Sequence, residues 1–270
     1  MAARYALGVI GVGQMGGALV RGVIRAGVLA PEQIIVADAD AAKVAEVAQE
    51  LGVRAADNRQ VAEQSEFALL AVKPGLAVGV VKEMASAVGG DCTLVSVVTG
   101  VPIARLREAL GRPDAAVIRV MPNTPALVGA GAFALAAPGV APERVEALRR
   151  LLDPLGRVVV VGEELMDAVT GVSGSGPAFV FVMIEAMADG GVAAGLPRAI
   201  AQQLAAQTVM GAAKMVLETG DHPAALKDAV ASPGGTTIAG LAELERGGFR
   251  AAVVSAVKAA ARRARELSES

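Results

Sequence analysis

Residues 5–17 read YALGVIGVGQMGG: an apolar run, then Gly11-x-Gly13-x-x-Gly16, then the head of an apolar helix. A glycine triplet at this spacing says little alone. Directly after a strand and opening a helix, it marks a dinucleotide-binding turn. Gly11 permits the tight turn, Gly13 lets the backbone approach a pyrophosphate, and Gly16 lets helix and sheet pack closely. Main-chain N–H groups at the helix start, around Gln14 and Met15, then face the diphosphate. The next strand, IIVADAD, ends in Asp38. A carboxylate there accepts hydrogen bonds from the adenine ribose hydroxyls and repels a 2′-phosphate, which leans the cofactor toward NADH over NADPH. The alternative is that Asp38, or Asp40, only caps the following helix.

The same pattern continues outward. Strands are expected at Tyr5–Ile10, Ile34–Ala37, Phe67–Ala71, Thr93–Ser96, Ala116–Val120, Phe133–Ala136 and Val158–Val161. Helices are expected between them, including Met15–Ala26, Ala41–Leu51, Leu76–Val88 and Pro142–Leu152. Most strands are apolar throughout rather than alternating, as when both faces of a sheet are covered. Such alternation of strand and helix predicts an α/β fold with a parallel, doubly wound, Rossmann-type sheet over residues 1–162. After residue 163 the strand signals stop. Helices are expected after Pro177, Pro197, Pro223 and the Pro233-Gly234-Gly235 turn, and from Arg250 to Glu269, making residues 163–270 an all-α domain. Between Ala178 and Ala188 the only polar residue is Glu185. A helix apolar on every face is buried all round, either against another subunit or at the centre of a compact bundle.

Composition removes several classes. The 270 residues are 54% apolar and only 2% aromatic, with one Cys and one His. Cys92 alone excludes a disulfide framework, and His222 alone speaks against a multi-histidine zinc site, so no metal site is expected. A net charge of −2 and scarce aromatics leave no footprint for nucleic acid. Mean hydropathy is high, at +0.53. The longest wholly apolar runs, Ala178–Ile184 and Phe67–Val72, still fall short of the roughly 18–20 residues of a spanning helix. The expectation is a cytoplasmic protein, with no membrane partner, that buries its apolar surface in an oligomer.

Four further motifs carry a resemblance. Gly171–Phe179 reads GVSGSGPAF, and Pro223–Glu245 reads PAALKDAVASPGGTTIAGLAELE. Val72-Lys73-Pro74 follows the third core strand, and Met121-Pro122-Asn123-Thr124-Pro125 follows a later one. In this order and over essentially the whole chain they resemble pyrroline-5-carboxylate reductase. The resemblance implies a Rossmann domain followed by an all-α domain that interlocks with its partner's to form a homodimer, often built further into a ring of dimers. It implies NAD(P)H-dependent reduction of the cyclic imine pyrroline-5-carboxylate to proline, the last step of proline biosynthesis. It also places Asn58 near the adenosine, the Val72-Lys73-Pro74 backbone along the cofactor cleft and Asn123 near the nicotinamide. One departure is Asp38, where NADPH-preferring members usually carry a hydroxyl residue.

Reduction of a C=N bond needs a hydride donor, a hydrogen-bond donor to the imine nitrogen and an anchor for the carboxylate. In Ser232-Pro233-Gly234-Gly235-Thr236-Thr237 two glycines precede a helix start, a pattern that can form an anion-binding nest. By resemblance, Thr237 is the catalytic donor to the ring nitrogen, and Ser232, Gly234, Gly235 and Thr236 cradle the carboxylate. A plain helix–helix corner with a capping threonine is the other reading of this turn. A cyclic imine can arrive already protonated, so no strong general acid is demanded. His222 reads as a turn or cap residue, and the cluster Arg262, Arg263 and Arg265 as a solvated helix end. β-Hydroxyacid dehydrogenases share the domain order but need a lysine soon after a glycine-rich helix start, and here none follows Gly176 before Lys214. A non-catalytic dinucleotide sensor is the rival from another class.

Overall fold

The computed structural model describes residues 5–269. The chain forms two compact units: residues up to Ser175 together with the end of the chain from Ala259, and Gly176–Lys258. The expected sheet-to-helix boundary at 162/163 falls just after the last strand, whereas the compact units divide between Ser175 and Gly176.

The first unit holds an eight-stranded sheet: β1 (Tyr5–Ile10), β2 (Ile34–Ala37), β3 (Arg54–Ala55), β4 (Ser65–Leu70), β5 (Thr93–Ser96), β6 (Val117–Met121), β7 (Gly131–Ala136) and β8 (Gly156–Val160). Their order is β3-β2-β1-β4-β5-β6-β7-β8. Six helices accompany them: α1 (Gln14–Arg25), α2 (Ala41–Leu51), α3 (Asn58–Gln64), α4 (Pro74–Met84), α5 (Ile103–Leu110) and α6 (Pro142–Leu152). Two apolar layers cover the sheet, one around Ile10, Leu70, Leu94 and Met84, the other around Val9, Leu19, Phe67 and Phe133. This double burial is why the strands are apolar without alternation. At Gly8 an added Cβ would stand 2.2 Å from Ser65 Oγ, so the pairing of β1 with β4 leaves no room for a side chain there.

The sheet is not parallel throughout. β7 runs antiparallel to β6, and β8 follows β7 in parallel. The connection 122–130 carries only a 3-10 turn, Thr124–Val128. A parallel return requires a crossover of about a dozen residues or more, so this short link reverses the strand.

A short helix, α7 (Met166–Val169), leads into a π-helical turn at Thr170–Gly174. Ahead of it, Glu163 Oε1 accepts the Ile103 N–H at 2.7 Å and lies 3.5 Å from Nη1 of buried Arg119, pinning the chain as it leaves the sheet.

The second unit contains α8 (Gly176–Ala193), α9 (Arg198–Thr219), α10 (Pro223–Ala229), α11 (Thr236–Arg246) and the start of α12 (Phe249–Glu269), up to Lys258. His222 caps α10, its Nδ1 accepting the Ala224 N–H at 3.2 Å. The all-round apolar α8 is not the centre of a bundle. Ala188 is its one buried residue, while Phe181 and Val182 are 62% and 65% exposed. In α9 only Ala201 and Ala205 are buried. Helical structure over Glu163–Ala193 is long and apolar enough, by length and composition, to cross a membrane, although no wholly apolar run in it reaches that length.

Candidate active site

β1 has β2 on one side and β4 on the other, so the strand order reverses at β1 and opens a crevice beyond the strand ends. The glycine loop closes that crevice from below. Gly11 N–H donates to Ala37 O at 2.7 Å, and Ala71 N–H donates to Ile10 O at 2.8 Å, which extends the pairing one residue past the strands. Gly11 has φ +97, and an added Cβ would stand 2.5 Å from Ala71 O. At Gly16 it would stand 1.9 Å from Gly11 O. Both glycines are demanded by the fold itself.

Gly13 differs. A Cβ there would meet nothing within 4 Å. It is the N-cap of α1, with no side chain capping the helix and no acidic residue in the first turn. Open space, free N–H groups and the positive end of a 12-residue helix therefore coincide. These residues fit a dinucleotide diphosphate, with Gln14 and Met15 in that first turn.

Asp38 lies against this loop. Its Oδ2 accepts the Val12 N–H at 2.8 Å and its Oδ1 accepts the Asp40 N–H at 3.0 Å. Capping of α2 falls to Asp40, which accepts from Ala42 and Lys43. Of the two readings of Asp38, the helix cap is removed. A carboxylate oxygen accepts more than one hydrogen bond, so both retain capacity for hydroxyl donors.

Val72 packs near Gly11, its Cγ1 3.2 Å from where a Cβ would lie. Lys73 and Pro74 form the exposed, uncapped start of α4 on the same sheet edge. Asn58 is half-buried at the first position of α3, which Asp57 caps through the Gln60 N–H at 2.7 Å.

Beyond the glycine loop, a cavity of about 610 Å³ lies at the carboxyl ends of β5 and β6. Met15, Val97, Thr99, Asn123, Thr170 and Ser175 are among its lining residues. Asn123 is 8% exposed, and its Oδ1 accepts the Ala132 N–H at 2.9 Å. This bond fixes the amide and leaves its NH₂ as the group free to donate. Two residues expected at opposite parts of the cofactor site, Met15 and Asn123, thus share one cavity. Thr99 carried no motif. Ser175 and all of the π-helical turn but Thr170 lie in the GVSGSGPAF stretch, which entered the sequence reading only through its resemblance; π-turns of this kind concentrate at functional sites.

The second predicted cluster lies in the helical unit. Ser232–Gly235 is a β-turn: the Gly235 N–H donates to Ser232 O at 3.0 Å, with Pro233 second and Gly234 third at φ +69. Proline followed by a left-handed glycine is the type II pattern. The Gly235 N–H is therefore spent inside the turn, and the free donors begin at Thr236. Gly235 is the N-cap of α11, with no side-chain cap and no acid in the first turn. Thr237 is half-buried there, and among the described residues its hydroxyl has no hydrogen-bond partner.

Comparison with known proteins assigns the chain to a family. The chain is 51% identical over 266 residues to a pyrroline-5-carboxylate reductase of Synechocystis, covering 97% of this chain and 98% of that one. It is 46% identical to the enzyme of that name from Escherichia coli, covering 98% of each. The chain belongs to the pyrroline-5-carboxylate reductase family. A family model described as pyrroline-5-carboxylate reductase dimerisation matches residues 163–267, and one described as NADP oxidoreductase, coenzyme F420-dependent, matches residues 6–100. Among solved structures, the family member from Coxiella burnetii superposes with a TM-score of 0.91 at 34% identity, over 99% of this chain and all of that one. A Plasmodium falciparum pyrroline carboxylate reductase with NADP bound gives 0.87 at 30% identity, with the same coverage.

Proposed function

We propose that this chain reduces 1-pyrroline-5-carboxylate to L-proline with NADH or NADPH, an NAD(P)H-dependent oxidoreduction at a C=N bond that ends proline biosynthesis. The observation that carries the reading is Gly13: open space at an uncapped helix start, beside the reversal of the sheet, in a chain of this family. The hydride for the imine carbon would come from the dinucleotide when it is bound.

The chain's own residues do the rest. Gly11, Gly13 and Gly16 with the N–H groups around Gln14 and Met15 hold the diphosphate. Val72, Lys73 and Pro74 line the cleft, Asn58 stands by the adenosine, and the Asn123 NH₂ serves the nicotinamide end. Asp38 takes the ribose hydroxyls and, being anionic, disfavours a 2′-phosphate, so NADH is the preferred cofactor. Thr237 donates its hydroxyl to the ring nitrogen. The Ser232 hydroxyl and the N–H groups from Thr236 onward hold the carboxylate at the positive end of α11, in a cradle whose shape Gly234 and Gly235 set. The substrate can bind as its iminium, so orientation rather than a strong acid carries the rate.

We also propose residues 1–162 as the dinucleotide domain and 163–270 as the dimerisation and substrate domain of a cytoplasmic homodimer, with rings of dimers as its higher assembly. Exposed apolar side chains on α8 and α9 support the dimer. The test is absorbance at 340 nm with purified protein, pyrroline-5-carboxylate and each cofactor. NADH oxidation is expected, and no turnover with either cofactor overturns the reading.

A further inference from the structure

The end of α12 is part of the cavity beside the glycine loop. Ala260, Arg263, Ala264 and Leu267 all line it, and their spacing puts them on one face of the helix. This segment belongs to the sheet's own compact unit. Three contacts hold it there. Ala264 is only 3% exposed. Gly100, at φ +76, lies so close that an added Cβ would stand 3.2 Å from the Leu267 backbone. Arg265 reaches Asp167 at 3.8 Å.

Among the described residues lining this cavity, Arg263 alone carries a charge. The rest are apolar side chains, hydroxyls, one amide and a glycine. Arg263 Nη1 donates to Glu266 at 2.8 Å, leaving Nη2 and Nε for another acceptor. The pair is open to solvent, with side chains 67% and 50% exposed, so it holds the guanidinium only weakly. A lone cation in an otherwise neutral wall, with donors to spare, selects an anionic oxygen.

We propose that Arg263 is a binding residue of this cavity and donates to an anionic oxygen of its occupant, from either the cofactor's diphosphate or the imino acid's carboxylate. The proposal rests on the function proposed above. A helix-end cation also suits the α12 dipole. Arg262, the neighbouring exposed cation that does not line the cavity, separates the two roles.

The experiment compares Arg263→Gln, Arg263→Lys and Arg262→Gln, reading the NADH Kd by fluorescence titration, the KM for pyrroline-5-carboxylate, and Tm. Arg263→Gln is expected to weaken one ligand about tenfold, the scale of one charge-assisted hydrogen bond. A raised Kd identifies the cofactor as the source of the oxygen; a raised KM at unchanged Kd identifies the imino acid. Arg263→Lys recovers most of the loss, and Arg262→Gln leaves both values in place. Values within twofold of wild type for Arg263→Gln, equal losses in Arg262→Gln, or a fall in Tm that accounts for the loss each overturn the proposal. Failure of the wild-type protein to turn over with either NADH or NADPH would instead overturn the function proposed above.

Discussion

Both units set a glycine turn before a helix, at Gly11–Gly13 ahead of α1 and at Pro233–Gly235 ahead of α11. Around the first, the chain closes on itself: Gly16 packs against Gly11, and the loop is tied to Ala37 and Asp38 over two full apolar layers. Around the second, the buried apolar cluster of the unit is Ala188, Ala201 and Ala205, while Phe181, Val182, Met210 and Leu217 are each more than half exposed. The sheet unit satisfies its own hydrophobic demand. The helical unit leaves a surface that a soluble monomer rarely shows, and a second copy is what its family model describes.

This contrast breaks most directly at α8. Phe181→Glu places a charge on an exposed apolar helix face. It is expected to raise the dimer dissociation constant by about 1000-fold or more, the effect of an unpaired charge at the core of an interface. Sedimentation velocity at micromolar concentration should report a monomer, and a dimer of wild-type strength would return α8 to the surface.

The glycine loop gives the next largest effects, and they split. Gly16→Ala drives a Cβ into the Gly11 carbonyl, so both fold and dinucleotide site suffer, with about 2–4 kcal/mol lost in denaturant titration. Gly13→Ala meets no protein atom. It should leave stability within about 1 kcal/mol of wild type while weakening NADH about tenfold or more. Equal stability losses at both positions would dissolve the distinction between a packing glycine and a ligand glycine.

In the helical unit the corresponding residue is Thr237. Thr237→Ala is expected to lower kcat about tenfold or more, and Thr237→Ser to restore most of it, as for one hydrogen bond to a reacting group. A folded Thr237→Ala protein with kcat near wild type would reassign the donor.

Asp38 sharpens the first turn further. Because Asp38 holds the Val12 N–H besides the ribose role proposed for it, Asp38→Ser removes two things and Asp38→Asn only the charge. Both should raise the NADPH/NADH ratio of kcat/KM about 5- to 30-fold, roughly one to two kcal/mol of relieved repulsion. Asp38→Asn should keep the better absolute activity. An unchanged ratio in both would remove Asp38 from cofactor choice.

Why so much was legible follows from the same contrast. Strands buried on both faces announce themselves as apolar runs, so Tyr5–Ile10, Ile34–Ala37 and Thr93–Ser96 were readable to the residue. Direction is not written in an apolar run. The reversal at β7 depended on how little chain, 122–130, was available to cross over. Helices α3 and α5 were passed over because each is short, and β3 because it is two exposed residues. At the site, glycines and Asp38 carry local signatures. Thr99, Ser175 and Arg263 meet only through tertiary folding, and a cation at a helix end has an ordinary explanation that hides its neighbours.

The smallest expected effect probes the self-sufficient core. Cys92 is buried, and burial pushes its thiol up to about 11 from 9.0, against smaller lowering by the Ala68 backbone and Arg144. Between pH 9 and 11 the unfolded chain releases this proton while the folded chain keeps it. The native state then binds more protons than the unfolded state, so stability falls as pH rises, by up to about 1.4 kcal/mol per pH unit from this group. It is fully present below 9 and lost through the folded value. Cys92→Ala, which lacks the titration, should lose about 2 kcal/mol less than wild type between pH 8.5 and 11 in urea titrations, even if it starts lower from the lost packing. Parallel curves for the two proteins would mean that the thiolate finds solvent, and that the sheet unit is less closed around Cys92 than its burial implies.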